Sequence, residues 1–232
     1  MGYYKVRKME MKLKEWMNEI GGAFAVTWLI FGVTLTTAGN TGMGLAGIMG
    51  VVGMTVAWMA FKGADILPAV TWLKHMSNKD NLSDGDAWAN TGITLVMQII
   101  GGVVAYVLMG QMYGDDIFGY ADAVTASAAA GVDFWGTTAW SFDLGATLGL
   151  IAAGAVLGQV MAVDSRWAMP VAIVMISFVD WDSAARMASV LMNEAGDTVN
   201  VALPWLLNGV FLGAGALLGS IINENIPAGE EE

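Results

Sequence analysis

Residues 62–72 read Lys62-Gly63-Ala64-Asp65-Ile66-Leu67-Pro68-Ala69-Val70-Thr71-Trp72 and interrupt an otherwise apolar part of the chain. The segment before them, Met43–Phe61, is long enough to cross a bilayer, whereas the apolar run that Pro68 opens is soon ended by Lys74 and His75. A run of about ten residues reaches only about half of a ~30 Å hydrocarbon core. Proline suits the first position of a helix, and non-helical backbone at membrane depth needs a protein cover or a water-filled cavity. The stretch therefore predicts a half-length, re-entrant helix that begins at Pro68 beside a pore or a buried site.

Composition indicates an integral membrane protein. Hydrophobic residues make up 56% of the 232-residue chain and charged residues only 13%, with a mean hydropathy of +0.59. Soluble proteins average about 25% charged residues. The sequence has no Cys, a single His, no Gly-rich phosphate loop and no nucleophile-base-acid set. We therefore expect no enzyme, no bound metal and no cofactor.

The basic residues indicate how the chain is oriented. Short cytoplasmic loops collect Lys and Arg, and residues 1–18 carry half of the chain's ten such residues, which predicts a cytoplasmic N-terminal segment. Gln111–Phe142 contains four Asp and no base, which predicts an outside loop. Residues 223–232 form an acidic tail that we expect inside as well. With the N-terminus inside, Arg186 is the one base that falls outside the cytoplasmic side.

The apolar segments predict an all-α membrane bundle with an inverted repeat. The order span, span, short segment, span occurs twice, over residues 19–110 and 143–222. Because each copy contains three spans, an odd number, the second copy has the opposite orientation in the membrane. The short segments are Pro68–Met76 and Ser183–Met192. The six predicted spans are Ile20–Ala38, Met43–Phe61, Trp88–Met109, Leu144–Val163, Trp167–Val179 and Val201–Ile222.

Four glycine pairs have the i, i+4 spacing that lets membrane helices approach closely. They predict helix packing, although glycine is also simply frequent in membrane helices. The pairs are Gly145/Gly149, Gly154/Gly158, Gly209/Gly213 and Gly215/Gly219.

Gly63–Trp72 resembles the first signature loop, G-A-H-x-N-P-A-V-T, of the aquaporin or major intrinsic protein family, with Asp65 in place of His and Leu67 in place of Asn. Glu19–Phe24 and Asp143–Leu148 resemble the family's E-x-x-G-T-F openings of its first and fourth spans. Likenesses to its span-three Q-x-x-G-A and span-six W-V-G-P-x-x-G extend the resemblance over residues 19–222, at Gln98–Gly102 and Trp205–Gly213. The resemblance implies six transmembrane helices, two re-entrant half-helices and a homotetramer in the cell membrane, with both termini cytoplasmic. Its implied partners are the lipid bilayer and a permeating solute, not nucleic acid.

The second signature is less well preserved. Asp182–Met187 stands where the family has x-N-P-A-R-S, and it keeps Ala185 and Arg186. A rival register would align Trp167–Ala172 with the first loop, but the polar segment Phe118–Trp140 would then have to span the membrane. In the preferred register Trp167–Val179 reaches only about 20 Å as a helix. The fifth span is then either truncated or continuous with Ser183–Met192.

The resemblance assigns pore roles to several residues. Arg186 corresponds to the constriction arginine, and a salt bridge to Asp180 or Asp182 is the alternative reading. Gly47 lies where the family has a bulky aromatic, so it widens the mouth or packs with other glycines. The two facing half-helix starts are lined, by resemblance, by Leu67, Pro68, Ala69, Ser183, Ala184 and Ala185.

Two acids and one histidine complete the candidate residues. Glu19 and Asp143 resemble the family's buried acids that brace the two loops, although Glu19 could equally be an interfacial charge. His75, beside Lys74, is expected to be a solvated residue at a helix end, and a pH gate is the alternative role. The implied function is a passive channel for water or small uncharged solutes such as glycerol, urea or ammonia. The alternatives are a non-conducting structural or assembly protein and, third, a secondary transporter.

Overall fold

The computed structural model describes residues 12–28, 45–113, 143–162, 184–192 and 198–225. These residues are helical apart from short connections, and no strand occurs among them. The predicted fifth span, Asp180, Asp182, Ser183 and most of the predicted outside loop lie outside the described residues.

Eight helices are described. In chain order they are α1 (12–28), α2 (Leu45–Ala60), α3 (Pro68–Ser77), α4 (Lys79–Ser83), α5 (Gly85–Tyr113), α6 (Leu144–Ala162), α7 (Ala184–Met192) and α8 (Thr198–Asn225). The short segment after residue 67 and the one after residue 183 are thus helices of 10 and 9 residues.

Three of these helices are long and apolar enough to cross a membrane. They cover Gly85–Met112 of α5, all of α6 and Ala202–Asn225 of α8. Much of their apolar surface is exposed, including Val96 and Leu108 on α5 and Leu148 and Val156 on α6. Exposed apolar side chains on long apolar helices suit contact with lipid. The expectation of an all-helical protein with membrane-spanning segments is therefore confirmed at this level.

A tight turn sets the start of α3. Gly63 has φ 95°, and the peptide N–H of Leu67 donates to the carbonyl of Asp65 at 2.7 Å across Ile66. Ile66 has φ 56°, which is unusual for a β-branched residue and costs on the order of 1–3 kcal/mol. Leu67 is extended, and Pro68 then occupies the first turn of α3 because it needs no N–H donor there. The predicted helix start at Pro68 is confirmed.

The two short helices pack crosswise between the halves of the chain. α3, from the first half, packs against α8 of the second half, and α7, from the second half, packs against α5 of the first. Each short helix thus meets the last long helix of the other half.

Glycines bring the long helices close together. A Cβ atom at Gly154 would collide with the carbonyl of Leu212, and one at Gly215 would collide with the carbonyl of Ile151, so α6 and α8 approach at backbone distance. Gly101 of α5 meets the carbonyl of Ile20 in α1 in the same way. The corresponding helices of the two halves therefore cross through glycine contacts.

The predicted glycine pairs fare unequally. Three of the four pack against neighbouring helices, whereas Gly145/Gly149 contacts no other helix among the described residues, so packing of that pair stays a prediction. A Cβ at Gly145 would meet only the Asp143 side chain, and one at Gly149 would meet no described atom within 4 Å.

Candidate functional site

The loop ahead of α3 is held by a buried carboxylate from α1. Glu19 is 6% exposed, and its Oε1 accepts the backbone N–H of Asp65 at 2.6 Å. Its Oε2 accepts the backbone N–H of Ile66 at 3.1 Å. Of the two roles considered for Glu19, the geometry is that of a residue holding the loop rather than that of a solvated interfacial charge.

Gln98 of α5 extends this network. Its Nε2 donates to Glu19 Oε2 at 2.9 Å and to Thr71 Oγ1 at 2.9 Å, and Gln98 is fully buried. The hydroxyl of Thr71 donates in turn to the carbonyl of Leu67. Because Glu19 is a pure acceptor when ionised, the amide nitrogen of Gln98 must face it, which determines the amide orientation. Three helices, α1, α3 and α5, thus converge on the 64–67 loop.

The network supports a strained backbone. Ile66 holds its positive φ while its N–H is bonded to Glu19 and its side chain is 1% exposed. Such a conformation persists only where the surroundings over-determine it. Removal of the carboxylate would leave two loop N–H groups and the Gln98 amide short of an acceptor, each at a cost of about 1–3 kcal/mol when buried. Glu19 is therefore the central support of this loop.

The start of α3 is enclosed in the apolar core. Leu67 and Ala69 are 1% and 4% exposed, and Pro68 is buried beside them. They pack in a cluster that includes Leu150 of α6 and Leu212 of α8. A cavity of about 10 Å³, room for about one water molecule, lies between Pro68, Trp72 and α8.

A larger polar pocket lies on another face of α3. Its volume is about 230 Å³, and it is bounded by α3, α4 and the first turns of α5. Asp65 and Lys74 form an ion pair at its wall. The other side chains that reach it are mostly amides and hydroxyls, from Thr71, Asn81, Asn90, Thr91 and Thr94. The pocket therefore offers hydrogen-bonding groups with little net charge.

His75 differs from the sequence expectation. It was expected to be solvated, but it is 5% exposed because α5 covers it. Its Nδ1 lies 2.9 Å from Thr91 Oγ1, and its ring contacts the Trp88 ring at 4.4 Å between centroids. The prediction was wrong because the position of a residue near a helix end does not reveal which helix packs over it.

The second-half residues are less fully described. Asp143 is exposed and caps α6, where its Oδ1 accepts the N–H groups of Gly145 at 2.7 Å and Ala146 at 3.1 Å. The loop that it was expected to brace lies outside the described residues, so that role stays a prediction. Ala184 is buried at the start of α7, and its carbonyl faces Gly102 of α5.

For several predicted pore residues the structure describes the backbone but not the surroundings of the side chain. Gly47 lies in α2, and Ala185 and Arg186 lie in the first turn of α7. The surroundings of these side chains, together with Asp180 and Ser183, lie outside what the structure describes. The pore roles of these five residues remain predictions.

Sequence reasoning noted Gln98 only as part of a resemblance and gave it no role. A polar amide inside an apolar span is costly unless it has partners, and this is the signal that could have singled it out. Thr71 gave no comparable signal, since a threonine in a helix often bonds its own backbone. The chain matches no known protein-family profile, and no curated protein sequence is detectably similar to it.

Proposed function

We propose that this chain is an aquaporin-like membrane channel that conducts water or small uncharged solutes passively. The observation that carries the proposal is the braced loop: a buried acid of α1 and a buried amide of α5 hold the backbone just before a half-length helix. A soluble helix connection needs no such support, because its loop groups can bond water. In a membrane the same groups must find protein partners.

The start of α3 has the electrostatic character that such a channel uses. No side chain caps the helix at Leu67, and the residues at its start are buried, so its first N–H groups and the positive end of its dipole lie inside the protein. Positive half-helix ends near the midplane are an established barrier to cations in water-conducting pores. This barrier does not require an asparagine at position 67.

The crosswise packing supports the same proposal. α3 and α7 each pack on the last long helix of the opposite half, and glycines lie at the α1–α5 contact and at the α6–α8 contact. Inverted repeats with short helices in matching positions form their sites at the interface between the repeats. In this proposal six spans and two re-entrant half-helices surround one pore per subunit of a homotetramer, and Arg186 lies at the constriction.

Transport by proteoliposomes tests the proposal. Stopped-flow swelling would be recorded with water, glycerol, urea and ammonia for the wild type, Glu19→Gln and the exposed control Glu224→Gln. We expect the wild type and the control to exceed empty vesicles for at least one solute, and Glu19→Gln to lose that excess. Swelling no faster than that of empty vesicles for every solute would rule out a conducting channel.

One observation favours a second candidate, a non-conducting structural or assembly protein. Leu67 is 1% exposed, and the cavity beside Pro68 holds about one water molecule. A protein that keeps the aquaporin-like helix arrangement but has a closed pore would have these features. Wild-type swelling equal to that of empty vesicles, in a protein that is folded and oligomeric, would support this candidate.

A further inference from the structure

His75 lies at the contact between α3 and the first turns of α5. It is 5% exposed, its Nδ1 is 2.9 Å from Thr91 Oγ1, and its ring meets the Trp88 ring. Trp88 is itself tied to the end of α4, because its Nε1 donates to the Leu82 carbonyl at 3.2 Å. The imidazole therefore connects three helices at one point.

The hydrogen bonds around His75 are compatible with a ring that is protonated on Nδ1. Thr91 Oγ1 lies 3.0 Å from the Ala87 carbonyl and can donate its proton there, and in that arrangement it accepts from the imidazole. In that arrangement Nδ1 carries the proton, and Nε2 of the neutral ring has a free lone pair. Nε2 is buried and has no hydrogen-bond partner among the described residues. It is thus a basic atom in a place that offers no acceptor for an added proton.

We propose that His75 is a proton-sensitive latch between α3 and α5. In the neutral ring the Nδ1–H group holds Thr91. When Nε2 takes a proton from water, it becomes a buried donor without an acceptor, and the charged ring loses its hydration. The ring relieves both costs by turning into the adjacent polar pocket, which it already borders. The contact with Thr91 then opens.

The charged groups near His75 favour opening of its contact with Thr91 once the ring is protonated, and they do not hold the charged ring in place. Lys74 on the same helix repels an imidazolium, and it already occupies Asp65, the acid that lines the pocket. On α4, Lys79 pairs with Glu224, and Asp80 is exposed. Before and within the first turn of α5, Asp84 and Asp86 are exposed to solvent. Trp88 contributes an aromatic surface. No acid in direct contact with the imidazole is found among the described residues.

Opening of the contact between His75 and Thr91 would affect the 64–67 loop through one turn of α3. Thr71, four residues before His75, bonds Gln98, and Gln98 bonds Glu19, which holds Asp65 and Ile66. Loosening of α3 therefore weakens the support of the 64–67 loop. An effect on conduction would rest on the proposed channel function, whereas the latch itself does not.

His75 is the chain's only histidine, so its state can be read without interference. Nitrogen NMR of the histidine-labelled full chain in nanodiscs at pH 7.5 should show the Nδ1–H tautomer. Hydrogen exchange of α3, corrected for intrinsic rates, should show opening on the order of tenfold greater at pH 5.5 than at pH 7.5. His75→Asn keeps a donor near the Nδ1 position and cannot be protonated, so its opening should not change with pH. Thr91→Val should open α3 at both pH values.

These outcomes are independent of transport. An Nε2–H tautomer in the wild-type NMR spectrum would overturn the proposal whether or not any variant folds. The same pH dependence of α3 exchange in the wild type and in His75→Asn would overturn it as well. A protein that fails to conduct but shows the expected tautomer and exchange would leave the latch standing and the channel function refuted.

Discussion

Glu19 Oε1 accepts the backbone N–H of Asp65 at 2.6 Å, although the two residues are 46 positions apart in the chain. The bond joins α1 to the turn that precedes α3. Through the second carboxylate oxygen the same side chain also bonds Ile66 and Gln98. One buried acid thus holds the turn that precedes the short helix.

Replacement of Glu19 by Gln should destabilise the protein. The amide can offer only one carbonyl oxygen, and its NH₂ group would face a loop N–H or the Gln98 amide. A buried donor left without an acceptor costs about 1–3 kcal/mol. Chemical or thermal unfolding in detergent would measure the loss, with Glu224→Gln as the exposed control. Equal stability of Glu19→Gln and the wild type would contradict the bracing role.

The bond between Gln98 and Thr71 should appear as an energetic coupling. Gln98→Leu and Thr71→Val each remove one partner, so the double variant should lose less stability than the sum of the two single losses. Contacting residues in one network couple by about 0.5–3 kcal/mol. The four-protein cycle measures this term, and a sum that is additive within error would mean that the two side chains act independently.

Single glycine substitutions should separate packed from unpacked positions. Gly154→Ala and Gly215→Ala place a methyl group against backbone carbonyls that cannot turn away, and overpacking costs about 1–3 kcal/mol. Gly149→Ala meets no described atom within 4 Å and should be neutral or slightly stabilising. Melting temperatures of the three variants provide the test. Wild-type melting temperatures for Gly154→Ala and Gly215→Ala would contradict the described α6–α8 crossing.

Arg186 tests the proposed pore directly. A fixed positive charge in a narrow, low-dielectric passage is a large part of the barrier to cations, so Arg186→Ala should increase proton or cation leak in proteoliposomes. If Asp180 or Asp182 neutralises the guanidinium, the leak should hardly change, and Asp→Asn at the pairing acid should tighten the wild-type pore. Unaltered ion conductance in all of these variants would exclude Arg186 from the pore.

Local features of the structure followed from local chemistry. The apolar segments predicted α5, α6 and α8 to within a few residues, because helix formation in an apolar chain depends on nearby side chains. The start of α3 at Pro68 followed from the geometry of the proline ring itself. Glu19, in contrast, was singled out through the resemblance of Glu19–Phe24 to the family's span opening, with an interfacial charge as the alternative.

A helical, membrane-type chain with a short helix that begins at Pro68 could be predicted from the amino-acid pattern. The packing of the helices was needed to see that Glu19 holds the loop, that Gln98 joins it to Thr71, and that α5 buries His75. The Gln98–Glu19 bond spans 79 positions and the Glu19–Asp65 bond spans 46. Hydrophobic periodicity and helix signals act over a few turns, whereas these hydrogen bonds depend on how whole helices pack, which no local pattern encodes.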